Sequence, residues 1–169
     1  MTPEQILTTI QNSPALQSLL PDVQAIATNI SANNYVTVPK MISHRGVRSL
    51  LGPVLGSKFM SLLKSLSAAN AAESVPPWLA GVLTALGVPV QDHVYYLDTF
   101  AAGYEGVMAE SGILLSDPTT VAMLDIIAAG NPDLQPAVNA LKNSTRQLSP
   151  VSEYEVRVAI FNDDGSLKV

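Results

Sequence analysis

The hydrophobic and polar positions of this chain fall on helical periods, cut at short intervals by proline, glycine and asparagine. The clearest stretch starts at Pro53 and runs to about Asn70, where Leu55, Phe59, Leu62, Leu63 and Leu66 share one face and Ser57, Lys58, Ser61, Lys64 and Ser65 share the other. Immediately before it, Ser43 is placed to cap a short helix over His44 to Leu51, which Gly52 ends. The pattern therefore predicts a helix–helix corner at Leu51-Gly52-Pro53.

The rest of the chain follows the same grammar. Thr2, with Pro3 at the first helical position and Gln5 three residues on, predicts a capping box and a helix over Pro3 to about Gln11. Ser13-Pro14 repeats the start signal for a short helix ending before Pro21. Asp22 opens one through about Ala32, which Asn33-Asn34 is expected to stop by tolerating left-handed backbone. Tyr35-Val36-Thr37-Val38 is the one alternating β-branched run, and Pro39 keeps the residue before it extended. Further helices are predicted from Trp78 to Leu86 with Gly87 as the stop, from His93 to about Glu110 with Asp92 as cap, and from Thr119 to Ala129 after Asp117-Pro118. Gly103 and Gly106, inside the second of these, either weaken that helix or mark close backbone approach. Asn131-Pro132 starts a helix to about Asn143, Leu148 to Val151 forms a linker, and Ser152 with Glu155 makes a capping box for a last helix to about Phe161. The sum is an all-α fold: a compact bundle of about nine short helices in orthogonal and antiparallel packings, with at most one short extended segment near residues 35–38. Residues 1–161 are expected to form a single helical domain and residues 162–169 a C-terminal turn and tail.

Composition adds a reason to look for partners. Charged residues make up 14% of the 169 residues and apolar ones 47%, with a mean hydropathy of +0.26, against roughly 25% charged in an ordinary soluble domain. So few charges leave apolar surface to be covered, which points to self-association or a lasting partner. There are no cysteines, which excludes disulfides, thiolate chemistry and cysteine-held zinc. The start, MTPEQILTTIQ, lacks the basic end and long apolar run of a signal peptide. The longest uncharged run, Ser74 to Gln91, is too interrupted by proline and glycine to span a bilayer, so no membrane association is expected. In that light the sequons at Asn29 and Asn143 read as chance matches.

Charge is segregated along the chain. From Val23 to Ala72 there are five bases, Lys40, Arg45, Arg48, Lys58 and Lys64, and no acid. From Glu73 to Asp133 there are eight acids, Glu73, Asp92, Asp98, Glu105, Glu110, Asp117, Asp125 and Asp133, and no base. Two readings stand side by side: the blocks neutralise each other within one chain, or the basic face of one copy meets an acidic face of the next in a head-to-tail contact. Nucleic acid is not the expected partner, because the pI is about 4.8 and the basic segment has no arginine–aromatic platform. The five bases are the candidate interface.

No reaction centre stands out. Gly52-Pro53-Val54-Leu55-Gly56-Ser57-Lys58 has one residue too few between its glycines for a phosphate loop and the order Gly-Ser-Lys, and it follows a helix, so it reads as a helix break. His44 and His93 sit beside cap residues, and no Gly-x-Ser-x-Gly turn provides a nucleophile. Asp92, His93 and Asp98 lack metal-ligand spacing, and Asn162-Asp163-Asp164-Gly165 reads as a turn because no glutamate follows to complete a calcium loop. Trp78, Tyr95, Tyr96, Phe100 and Tyr104 are expected in the core. No catalytic residue, metal or cofactor is assigned.

Three stretches taken together carry a resemblance. Met41-Ile42-Ser43-His44-Arg45-Gly46-Val47 running into Leu51-Gly52-Pro53, then Asp117-Pro118-Thr119-Thr120-Val121-Ala122-Met123-Leu124-Asp125, then Ser149-Pro150-Val151-Ser152 resemble small virion-associated structural proteins of tailed bacteriophages, over roughly Val36 to Phe161. The resemblance implies a structural virion component of the neck, tail or tail tip. It brings no catalytic residue with it. The leading expectation is a non-enzymatic, homo-oligomeric virion protein contacting other phage structural proteins, present in the host cytoplasm during assembly and then in the virion. The alternative is an assembly chaperone or adaptor that binds a partner transiently and is absent from the particle.

Overall fold

The computed structural model describes residues 1–168. Among them the elements run α1 (Pro3–Gln11), α2 (Pro14–Gln17), α3 (Val23–Asn33), β1 (Tyr35–Thr37), β2 (Met41–Ile42), α4 (His44–Ala71) and α5 (Pro77–Ala85). They continue with α6 (His93–Met108), β3 (Ile113–Leu114), α7 (Pro118–Gly130), α8 (Gln135–Asn143), β4 (Arg146–Leu148) and α9 (Glu153–Ile160). The chain is all-α, as the periodicity predicts. It holds more extended structure than the one segment expected, because β1 neighbours β4 and β2 pairs antiparallel with β3 in two short two-stranded sheets. At two or three residues, β2, β3 and β4 leave no alternating run like that of Tyr35 to Val38, and the partners of these strands are remote in sequence.

Contacts divide the chain into two compact units, Met1–Val36 with the chain from Gln147 onward, and Thr37–Arg146.

In the first unit, α1 and α3 both pack on α9, burying Ile6, Ile10, Ile26, Ile30, Val156 and Ile160. Every helix here starts on a side-chain cap. Thr2 and Gln5 close a capping box on α1, Ser13 caps α2, Asp22 caps α3, and Ser152 with Glu155 closes a second box on α9. The end of α3 is fastened to the segment before α9: the Val151 amide donates to Ser31 Oγ at 2.8 Å, and Asn34 Nδ2 donates to the Ser149 carbonyl at 2.8 Å. Asn34 is extended (φ −89°, ψ 106°) and not left-handed as expected, because its backbone carbonyl accepts from the Ser149 amide. Beyond α9, Asn162 to Gly165 makes the expected turn, and the chain folds back so that the Lys168 amide donates to the Ile160 carbonyl.

The second unit is built on α4, which packs along α6 and against α8, while α5 and α8 both lie on α7. Phe59, Leu63, Leu66, Leu97, Phe100 and Leu124 are fully buried at its centre. Glycine sets several of the close approaches. A Cβ on Gly103 would stand 2.7 Å from Met123 Sδ, one on Gly106 would strike Ile113, and one on Gly130 would strike the ring of Trp78. Of the two readings open for Gly103 and Gly106 inside α6, these contacts are those of close approach.

Helix ends here depend less on side chains. Ser43 precedes α4 with extended backbone but no side-chain cap bond, and Asp92 lies in a preceding turn at φ −94°, ψ −9°, so it does not cap α6 as expected. Only α7 has a side-chain cap, Asp117 Oδ1 accepting from the amides of Thr119 and Thr120 at the Asp117-Pro118 start. Two C-termini close alike. Gly87 after α5 (φ 77°) and Glu73 after α4 (φ 48°) take the left-handed position, and the next residues, Val88 and Ser74, donate back to the carbonyls of Leu83 and Ala69. Glutamate in that role gives no sequence signal.

Candidate functional site

The basic segment begins where β2 meets β3. The Lys40 carbonyl accepts from the Leu115 amide at 2.8 Å, and Gly112 passes directly over the Ile42–Ser43 peptide, where no side chain fits. That clamp fixes the start of α4. Lys40 sits half-buried beside it.

From His44 the helix runs one arm to Leu51, turns at Gly52 (φ 75°, ψ 173°) and continues in the second arm. That backbone conformation is open to glycine and closed to residues with a Cβ. The corner is tight because Gly56, on the second arm, lies against the backbone of the first: an added Cβ would stand 3.3 Å from Arg48 Cα. The stretch that superficially resembles a phosphate loop is this corner, as the sequence predicts.

The fold carries the five bases to the surface. Arg45, Arg48, Lys58 and Lys64 are exposed along α4. The corner brings Arg48 alongside the second arm, with Nη2 donating to Ser57 Oγ at 3.4 Å. Among the described residues, no carboxylate lies within ion-pair distance of Lys40, Arg45, Arg48, Lys58 or Lys64. By contrast Lys142, outside the basic block, pairs with Asp125 at 2.7 Å. The acidic helix α6, carrying Asp98 and Glu105, packs along α4 through its apolar face, so the opposite charges of the two helices share one unit without direct pairing. Apolar side chains are exposed beside the bases: Leu50 at the end of the first arm and Val54, 71% exposed, at the start of the second.

A second surface feature lies between α6, β3 and α7. It is an open groove of about 520 Å³, floored by Ala102, Gly103, Ile113, Leu114 and Met123 and edged by Asp98, Thr99, Asp117, Thr119 and Thr120. Asp117 uses Oδ1 to cap α7, and no lysine or arginine among the described residues pairs with it or with Asp98. Sequence reasoning identified both residues as acids of one block and did not bring them together. The available signal was Gly103, whose missing side chain admits Met123 to the groove floor.

The remaining candidates have structural places. His93 is 3% exposed and donates from Nε2 to the Val88 carbonyl at 3.0 Å, tying the start of α6 to the chain leaving α5. No three histidine or carboxylate side chains among the described residues come together as a metal-binding group. The Asp164 carboxyl is held below its usual pKa by the Ser166 hydroxyl, donating at 2.6 Å, and by the Ser166 amide at 2.9 Å, so it serves the turn in which it sits. Of the aromatic residues expected in the core, Phe100 is buried, and Trp78, Tyr96 and Tyr104 are partly buried and pack against the core of the second unit. Tyr95 instead faces outward and is 65% exposed.

No protein family, curated protein or solved structure matches this chain. Residue roles at these surfaces therefore rest on geometry and chemistry alone. The arrangement offers two charged and partly apolar faces of opposite sign, which is a binding chemistry.

Proposed function

We propose that the chain is a non-enzymatic structural protein of a tailed-bacteriophage virion, a component of the neck, tail or tail tip, held in an oligomeric assembly through the basic face of α4. One observation carries the contact-making part of the reading: four exposed bases and the half-buried Lys40 line an acid-free segment, and none has a carboxylate partner within the chain among the described residues. A row of this kind adds like-charge repulsion in the isolated protein and gains most when an acidic surface faces it. The low charge content and the exposed Leu50 and Val54 beside the row support the same reading. The virion assignment is supported by the resemblance of the Met41–Pro53, Asp117–Asp125 and Ser149–Ser152 stretches.

Mass spectrometry of extensively washed particles tests it. The chain is expected in the particle in several copies, and Arg45→Glu with Arg48→Glu is expected to remove it while the protein stays folded in the lysate. Its presence in the lysate with absence from the wild-type particle would replace this proposal with the assembly-chaperone reading.

A further inference from the structure

The two charged surfaces of the second unit are complementary in more than sign. The α4 corner presents a solvent-facing run, with Arg48, Leu50, Pro53 and Val54 all exposed and Arg45 one turn back. It combines cationic and apolar side chains on a backbone fixed by Gly52 and by the contact of Gly56 with Arg48. The groove between α6 and α7 has the opposite character: an apolar floor of Ile113, Leu114 and Met123 beneath the carboxylates of Asp98 and Asp117. An arginine buries its aliphatic stem along apolar surface while its guanidinium seeks a carboxylate, and such a floor with such a rim suits it. Within the chain neither set is neutralised by an ion pair among the described residues.

From this pairing we infer that the α6–α7 groove is the acceptor for the α4 corner of a second copy, with Arg48 reaching Asp98 and Asp117 and the exposed Leu50 and Val54 covering the apolar floor. The contact joins two different surfaces. It is therefore heterologous, and repeats head to tail until a ring closes or a filament grows. This inference rests on the proposed oligomeric, contact-making role and names the surface that completes it.

Sedimentation velocity of the full chain tests it. The wild type is expected to run above monomer mass at low salt and to shift to monomer at high salt. Asp98→Arg and Arg48→Glu are each expected to weaken self-association by about tenfold or more. Ala102→Arg, at an exposed position on the groove floor, is expected to do the same by filling it. Asp117→Asn removes a charge yet keeps a residue that caps helices well, so a loss of association there reports on the groove and not on folding. The double variant Arg48→Glu with Asp98→Arg is expected to recover association, because each contact regains opposite charges. Glu153→Arg, outside the groove, is expected to leave association unchanged. A wild type that is monomeric at low salt overturns the inference, and so does an oligomer indifferent to both Asp98→Arg and Ala102→Arg. Loss with Arg48→Glu alone, without recovery in the double variant, overturns the groove as acceptor while leaving a contact-making α4. Particles that lack the chain would overturn the virion role and leave the groove standing.

Discussion

The two compact units hold their helices in different ways. In the first, α1, α2, α3 and α9 are short, and each begins on a side-chain cap, two of them full capping boxes. In the second, α4, α5, α6 and α8 have no side-chain cap bond, and only α7 has one. The difference follows core size. Isolated helices of about ten residues are marginal in water, so they need either local help at their ends or a large buried face. The second unit supplies the buried face, because its core gathers residues from α4 to α8 around Phe59 and Phe100. The first has a smaller core centred on Ile6, Ile10 and Ile26, and its helices start on residues that satisfy their free amides.

That contrast can be broken most forcefully at the core of the second unit. Leu63→Ala, at a fully buried position on α4, is expected to cost about 2–5 kcal/mol by urea denaturation; a loss below about 1 kcal/mol would show that α4 is held by something other than packing. A middle-sized effect separates the two kinds of helix start. Ser152→Ala removes a cap that donates to Glu155 and accepts from its amide, and is expected to cost about 1 kcal/mol. Ser43→Ala removes a side chain with no cap bond and is expected to stay within about 0.5 kcal/mol. Thermal melts of the two variants should differ in that order, and equal shifts would remove the distinction.

The smallest effect is a pH dependence. The Ser152 amide at 2.8 Å and then its hydroxyl at 2.7 Å donate to the Glu155 carboxylate and hold its pKa below the ordinary value of 4.5. A carboxyl depressed by folding adds stability that is present above its unfolded pKa and is lost as pH falls through the folded one. The protection factors of the α9 amides, taken relative to intrinsic exchange at each pH, are therefore expected to fall on acidification below about 4.5. Glu155→Gln, which keeps a hydrogen-bonding residue in the box but does not titrate, is expected to flatten that response; an unchanged acid response in the glutamine variant would assign it elsewhere.

How much of this was legible depended on distance along the chain. Thr2 with Gln5, Ser13, Asp22, Asp117 and Ser152 with Glu155 were readable because a cap acts on the amide two or three residues ahead. Asp92 misled, since a turn from Val90 to Asp92 sets its backbone before the helix begins. Gly52 was readable as a stop, and Gly56 was not readable as the residue that lets the two arms close, because that contact depends on the angle of the corner. The same holds for the candidate surfaces. The five bases were evident as a row, while the groove needed α6, β3 and α7 brought together from separate stretches.

By itself the sequence determined the helical class, most helix starts, the corner at Gly52-Pro53 and the segregation of charge, all of which act over a few residues or need no geometry. Tertiary structure decided which segments share a core, which strands pair and which charges lack partners. Ser31 and Val151 illustrate the reason: they bond across 120 residues of chain, and no local preference encodes a choice among partners so remote. The bases from Lys40 to Lys64 combine both levels, for the sequence put them in one row and the fold leaves none of them, among the described residues, within ion-pair distance of a carboxylate.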